Sequence, residues 1–188
     1  MADDTFAEFT HEVDALVRGQ GQPDVLVGLI QPVLRRLLAR RDWLDERYRR
    51  PMPNKSYTQY LLYTPPDEAW SVVSFVWPGG ATTPVHDHDT WGVIGVYQGR
   101  ERETRYRVVE GSIAARRVRL VETATTTMHP GEVGQVVPPD DLHCVFNDGP
   151  EVAVSVHVYG TNIGQHKRHV IDLTTGDVRD FVSGYDAP

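Results

Sequence analysis

Apolar residues recur at helical spacing along the first fifty positions: Phe6, Phe9, Val13 and Leu16, then Val25, Leu26, Leu29, Ile30, Val33, Leu34, Leu37 and Leu38. Steps of three and four residues line one face of a helix, so residues 6–49 are expected to form two or three short helices. Gly19 to Gln22 separates the first from the second. Asp24 is placed to cap the second, and Pro32 should split or kink that helix. Arg35, Arg36, Arg40 and Arg41 interleave with leucines and read as a solvated helix face rather than an anion-binding surface.

After Pro51 the pattern changes to short runs rich in Val, Tyr, Thr and Trp, punctuated by Pro-Pro, Gly-Gly, Gln-Gly, Pro-Gly and Asp-Gly. Such punctuation marks strands and turns. The predicted strands are Tyr57–Tyr63, Ser71–Trp77, Val85–Asp87, Gly92–Gln98, Arg102–Glu110, Ser112–Leu120, Glu132–Val137, His143–Asn147, Val152–Tyr159 and His169–Asp172. Many strands at close intervals with no helical pattern between them indicate a mainly β antiparallel jelly roll or barrel. The expectation is one domain over residues 1–188, with 1–50 a helical cover and 51–188 a β-barrel.

Composition narrows the function. A formal charge of −7 and a pI near 5.6 argue against a phosphate-binding surface, so nucleic acid is not an expected partner. The single cysteine, Cys144, excludes an intrachain disulfide framework. No signal peptide and no apolar run long enough to span a bilayer is evident, so neither a membrane nor export is expected, and the default compartment is the cytoplasm. Oligomeric state is not legible.

The candidate chemistry begins at His86-Asp87-His88, followed by a lone His143. Two histidines one residue apart on a strand point the same way and can hold a metal, with a third imidazole closing a triangular face. Taken alone, such a pair fits an ordinary solvated acidic turn better than a metal site. Three neutral imidazoles would suit iron, zinc, copper or nickel alike. Ser155-x-His157-x-Tyr159 alternates onto one face of a strand, where hydroxyl, imidazole and phenol can hydrogen-bond in line. By itself that run fits a buried strand containing a satisfied histidine with polar neighbours better than a relay.

Gly80, His86, His88 and Gly99 match the first motif of the cupin superfamily, with Gly92 in place of its glutamate ligand. Pro138-x-Asp140-x-x-His143-x-x-x-Asn147 matches the second, with Asp140 where glycine is usual. Together with Trp91-Gly92, Tyr97-Gln98-Gly99 and Ser155-x-His157-x-Tyr159, these residues resemble the cysteine dioxygenase family of cupin thiol dioxygenases from about Tyr57 to Arg168. The resemblance implies a double-stranded β-helix, Fe(2+) held by His86, His88 and His143, and a catalytic triad of Ser155, His157 and Tyr159. It implies addition of both atoms of O2 to a small thiol carboxylate, giving a sulfinic acid. His11, His129 and His166 match nothing and are expected at the surface.

Two departures bear on the substrate. Mammalian-type members carry at the place of Gly92 a cysteine that crosslinks to the triad tyrosine; glycine cannot, and Cys144 should face away, so no crosslink is expected. Those members have a carboxylate-binding arginine where this chain has Gln59. Bacterial 3-mercaptopropionate dioxygenases look similar here, with a glutamine at that place and an arginine downstream that Arg168 matches. The resemblance thus favours a mercaptocarboxylate, with Arg168 and Gln59 binding substrate. The alternatives are a cysteine dioxygenase using L-cysteine, a cupin using another metal for isomerisation or hydrolysis, and a non-catalytic cupin sensing a small acid.

Overall fold

The computed structural model describes residues 2–19 and 21–188; side chains are described from Asp4 onward. Two helices, α1 (Ala2–Gly19) and α2 (Pro23–Leu38), and a 3₁₀ turn (Glu46–Arg49) precede eleven strands. Gln20, within the predicted break, lies outside the described residues. Asp24 does not cap α2: Gln22 is the N-cap, Pro23 opens the helix, and Asp24 sits in its first turn. There a carboxylate still favours the exposed N–H groups. Pro32 does not split the helix, and α2 runs through it. Pro32 and Gly28 both lie toward the exposed side, so the carbonyl that loses its partner faces water.

The strands are β1 (Thr58–Tyr63), β2 (Ser71–Trp77), β3 (Val85–His86), β4 (Gly92–Gln98), β5 (Glu101–Ser112), β6 (Arg117–Met128), β7 (Val133–Val136), β8 (His143–Phe146), β9 (Ala153–Tyr159), β10 (Arg168–Ile171) and β11 (Val178–Phe181). They form a five-stranded sheet, β1-β2-β9-β4-β7, facing a six-stranded sheet, β11-β10-β3-β8-β5-β6. The predicted strand Ser112–Leu120 is corrected. Residues 113–116 are the turn of one long β5–β6 hairpin, with Gly111 and Arg116 at positive φ, and β6 continues through the threonine-rich run to Met128. β11 escaped prediction because Val178–Phe181 carries two charges in four residues.

The outer face of the five-stranded sheet is where the helices dock. Leu26, Val27, Ile30, Val33, Leu34, Leu37 and Leu38 form the buried stripe of α2, and they pack with Val93, Val154, Val156 and Val158 of β4 and β9. Contact is close because β4 carries Gly95, where a Cβ would meet Leu38 Cδ1 at 2.4 Å. The inner face of the same sheet, with Val73, Phe75, Trp77 and Tyr159, packs toward Val145 of the second sheet. β9 thus shows valine to the helices and Ser155, His157 and Tyr159 to the interior.

Candidate active site

The three histidines come together from separate elements. His86 pairs with His143 across the β3–β8 ladder, ring centroids among His86, His88 and His143 lie 4.8 to 4.9 Å apart, and one ligand nitrogen from each falls within 4.8 Å of the others. Strand alternation accounts for His86 alone. β3 is two residues long and ends there, one residue short of the predicted Val85–Asp87, so His88 lies beyond the ladder. A backbone clamp turns His88 inward instead: Asp141 Oδ2 accepts from His88 N at 2.8 Å and Asp89 N at 3.0 Å. Asp87 points the other way, accepting from His169 N and His169 Nδ1, each at 2.7 Å.

These imidazoles suit a divalent metal. Burial, reinforced by the neighbouring His143, holds His86 and His88 well below the ordinary imidazole range, in the neutral ligating form. His143 Nδ1–H donates to Glu103 Oε1 at 2.6 Å and His86 Nδ1–H to Pro84 O at 3.1 Å, which leaves each Nε2 as a free lone pair. His88 Nδ1 is buried without a protein partner. Glu103 would rise on burial alone, but hydrogen bonds from His143 and Arg105 bring it below the usual carboxylate value. Sequence reading missed Glu103, Asp141 and His169, whose positions depend on strand pairing rather than on any local motif.

Ser155, His157 and Tyr159 form a connected line. Ser155 Oγ lies 2.7 Å from His157 Nε2, His157 Nδ1 lies 2.8 Å from Tyr159 Oη, and Trp77 Nε1 donates to Ser155 Oγ at 3.1 Å. Burial lowers His157 well below the imidazole value and pushes the Tyr159 phenol up, so both are neutral. The Tyr159 ring stacks on His88 at 5.4 Å between centroids, which brings the end of the line to the histidine cluster. Gly92 makes room for it. A Cβ there would lie 2.8 Å from Tyr159 Cδ1 and Cε1. Cys144 faces the opposite side of β8, beside Tyr106, as expected.

A cavity of about 120 Å³ is lined by His86, His143, His157, Tyr159 and Arg168 together with Tyr57 and other aromatic side chains. This is well below the 300–1,000 Å³, roughly, of sites for drug-sized ligands. Arg168 is the first residue of β10, which begins one residue ahead of the predicted strand His169–Asp172, with β11 beyond it. It is 4 % exposed. Nη1 donates to Ile163 O at 2.9 Å and Nη2 to Ser183 Oγ at 3.1 Å, the guanidinium lies 4.5 Å over the Phe181 ring, and Nε has no hydrogen-bond partner among the described residues. None of these partners is a carboxylate. Gln59 is 3 % exposed with both amide atoms unpaired. It sits opposite Phe75, a wall of the cavity, without lining it directly. His11 and His129 are exposed as expected, whereas His166 is half-buried, 3.9 Å from Asp89.

The family model for cysteine dioxygenase type I matches residues 43–170. The chain belongs to this family. That span contains every residue of the histidine cluster, the Ser-His-Tyr line and Arg168, and leaves out α1, α2 and β11. Solved structures with a similar fold include an acetylacetone dioxygenase from Acinetobacter johnsonii, 16 % identical over 73 % of this chain and 81 % of that one, with a TM-score of 0.46. The Schizosaccharomyces pombe Cnp3 cupin domain is 17 % identical over 57 % and 66 %, TM-score 0.43. An oxalate oxidase in complex with the substrate analogue glycolate is 19 % identical over 59 % of this chain and about half, 53 %, of that one, TM-score 0.43. The cysteine dioxygenase type I member described here is thus mainly β, two antiparallel sheets preceded by two helices, with three histidines placed to hold a divalent metal beside a small cavity. No helix among the described residues is long and apolar enough to cross a membrane.

Proposed function

We propose that this protein is an iron(II)-dependent thiol dioxygenase that converts a small mercaptocarboxylate, 3-mercaptopropionate in preference to cysteine, with O2 to the sulfinic acid. The observation that carries this reading is Arg168, a buried guanidinium with no acidic partner lining the cavity that also holds His86, His143 and Tyr159. A buried charge needs a counter-ion, and a substrate carboxylate supplies one. Of its five N–H hydrogens two are spent on Ile163 and Ser183, leaving Nε and one hydrogen on each Nη for a paired, charge-assisted contact. The preference for a substrate without an amino group is a consequence of the walls. No residue lining the cavity is acidic, so the ammonium of cysteine would be desolvated without an anion.

His86, His88 and His143 would hold the metal, with Glu103 fixing the orientation of His143. Iron(II), when bound, supplies dioxygen activation and the pKa depression that makes the thiol a thiolate at neutral pH. Arg168 fixes the carboxylate end, so the sulfur is held at the histidine end without a diffusional search. Tyr57, Phe75 and Trp77 keep water out. Tyr159, oriented by His157 and Ser155, donates a hydrogen bond to charge developing on sulfur or oxygen. The thiol takes up both oxygen atoms, so no external reductant is consumed. Oxygen uptake by the iron-loaded protein with 3-mercaptopropionate, cysteine and mercaptosuccinate in turn, followed by product mass, tests this. A gain of two oxygen atoms with 3-mercaptopropionate foremost is expected. No uptake with any thiol would overturn the function, and a preference for cysteine would overturn the substrate.

A further inference from the structure

β5 directs two glutamates, two residues apart, to the interior, and they meet different surroundings. Glu103 has His143 and Arg105. Glu101 is completely buried, 0 % exposed, and neither of its oxygens has a hydrogen-bond partner of good geometry among the described residues. It shares a small internal cavity with His157, His143 and Glu103, behind the substrate pocket, and its carboxyl faces Ser155 Oγ and Trp77 Nε1. That is the inner end of the hydrogen-bonded line, the end away from Tyr159.

We propose that Glu101, held in its neutral acid form, is the fourth member of this line and sets its direction, so that Tyr159 presents its phenolic hydrogen to the pocket. An ionised carboxylate at this place would be a buried charge with no cation beside it among the described residues, which is strongly disfavoured. Burial, opposed by the facing Ser155 and Trp77 donor groups and helped by the nearby Glu103 charge, raises Glu101 to about 8. Two carboxylates on one strand face are thereby driven apart in acidity, one ionised and one neutral. The titratable groups facing Glu101 are Glu103 on its own strand, His143 from β8 and His157 from β9, with Arg105 held on Glu103; β4, β6 and β7 contribute Ile94, Met128 and Gln135, which do not titrate.

Counting donors gives the direction. Ser155 Oγ has one hydrogen and two lone pairs. Trp77 Nε1–H fills one lone pair. When neutral Glu101 donates to the other, the Ser155 hydrogen must go to His157 Nε2; His157 Nδ1–H then donates to Tyr159 Oη, and the phenolic hydrogen is free for the pocket. When Glu101 loses its proton it accepts from Ser155, so His157 carries its hydrogen on Nε2 and Nδ1 accepts from the phenol. The line has lost one proton, the one that left Glu101, and Tyr159 has no hydrogen for a ligand. Glu101 is thus a positioning residue, and the inference rests on the donor role proposed for Tyr159.

The His157 tautomer and the protonated-carboxyl C=O stretch read this without turnover. In the full-length protein loaded with diamagnetic zinc(II), ¹⁵N shifts should report the Nδ1–H tautomer of His157 at neutral pH. It should change to Nε2–H as pH rises through about 8, in step with loss of a protonated-carboxyl infrared band. Glu101→Gln donates permanently through its amide, so it should lack the band and stay Nδ1–H throughout. An Nε2–H tautomer at neutral pH in the unsubstituted protein, the absence of a protonated-carboxyl band, or a Glu101→Gln protein that still switches would each overturn the proposal. The unsubstituted protein decides the matter even if the variant fails to fold. Because no thiol is turned over, failure here is distinct from failure of the oxygen-uptake test.

Discussion

Replacing Arg168 should separate carboxylate recognition from every other property of the site. The guanidinium is buried and has three N–H hydrogens left after Ile163 and Ser183 are served. Truncating one partner of a buried, hydrogen-bonded charge pair costs about 2–5 kcal/mol, so Arg168→Ala should raise KM for 3-mercaptopropionate by about 30-fold or more. Arg168→Lys keeps the charge and loses the fork, and a single ammonium cannot reproduce paired contacts. It should recover only part of that loss. The truncation also frees Ile163 O and Ser183 Oγ and empties the space over Phe181, so folding stability will fall as well. 2-Mercaptoethanol controls for this: it carries the thiol without the carboxylate, and its KM should change several-fold less than that of the acid. Iron content should be unchanged, since Arg168 is not among the three ligands. Steady-state oxygen consumption with both thiols, beside metal analysis, measures all of this. Equal KM changes for the two thiols, or a lysine variant kinetically identical to the unsubstituted protein, would refute the anchor.

His86→Ala removes one of the three proposed ligands and should strip the metal; stoichiometric iron with retained activity would show that the ligand assignment is wrong. Tyr159→Phe should leave iron and thiol binding intact while kcat falls by about 10²-fold, the usual scale for losing one preorganised donor; an unchanged kcat would remove the phenol from the reaction. Gly92→Ala places a Cβ 2.8 Å from the Tyr159 ring, and overpacking of this kind costs about 1–3 kcal/mol, readable as a lower denaturant midpoint together with slower turnover. With glycine at this place, the intact mass of the purified protein should show Tyr159 unmodified.

Much of the site was legible because its residues lie in short local patterns. Ser155, His157 and Tyr159 need only β alternation to face one way, and Val154, Val156 and Val158 between them take the opposite face under the helices. His143 and Cys144 separate for the same reason. The fold class was legible from strand density and turn punctuation. Boundaries were less so: the β5–β6 hairpin ran further than its apolar pattern because residues 121–128 are threonine-rich and largely exposed, and β11 has too few apolar residues to announce itself. Pro32 looked like a helix break because proline removes an interior hydrogen bond, a loss tolerated here because Gly28 and Pro32 lie on the exposed side of α2.

Sequence by itself determined which chemical groups alternate inward on each strand, since that depends only on the period-two geometry of extended backbone. It could not determine which groups meet, because pairing is set by contacts between strands far apart along the chain. His88 reaches the cluster through Asp141, fifty-three residues away, and not through the strand of His86. Arg168 is a buried cation with no carboxylate partner among the described residues because β10 places it between Ile163 and Ser183 over Phe181. Glu101 and Glu103 are the same residue type on the same strand face. Only their tertiary neighbours, Ser155 and Trp77 for one and His143 and Arg105 for the other, set their acidities apart, since charge in a protein interior is governed by local dielectric and local partners.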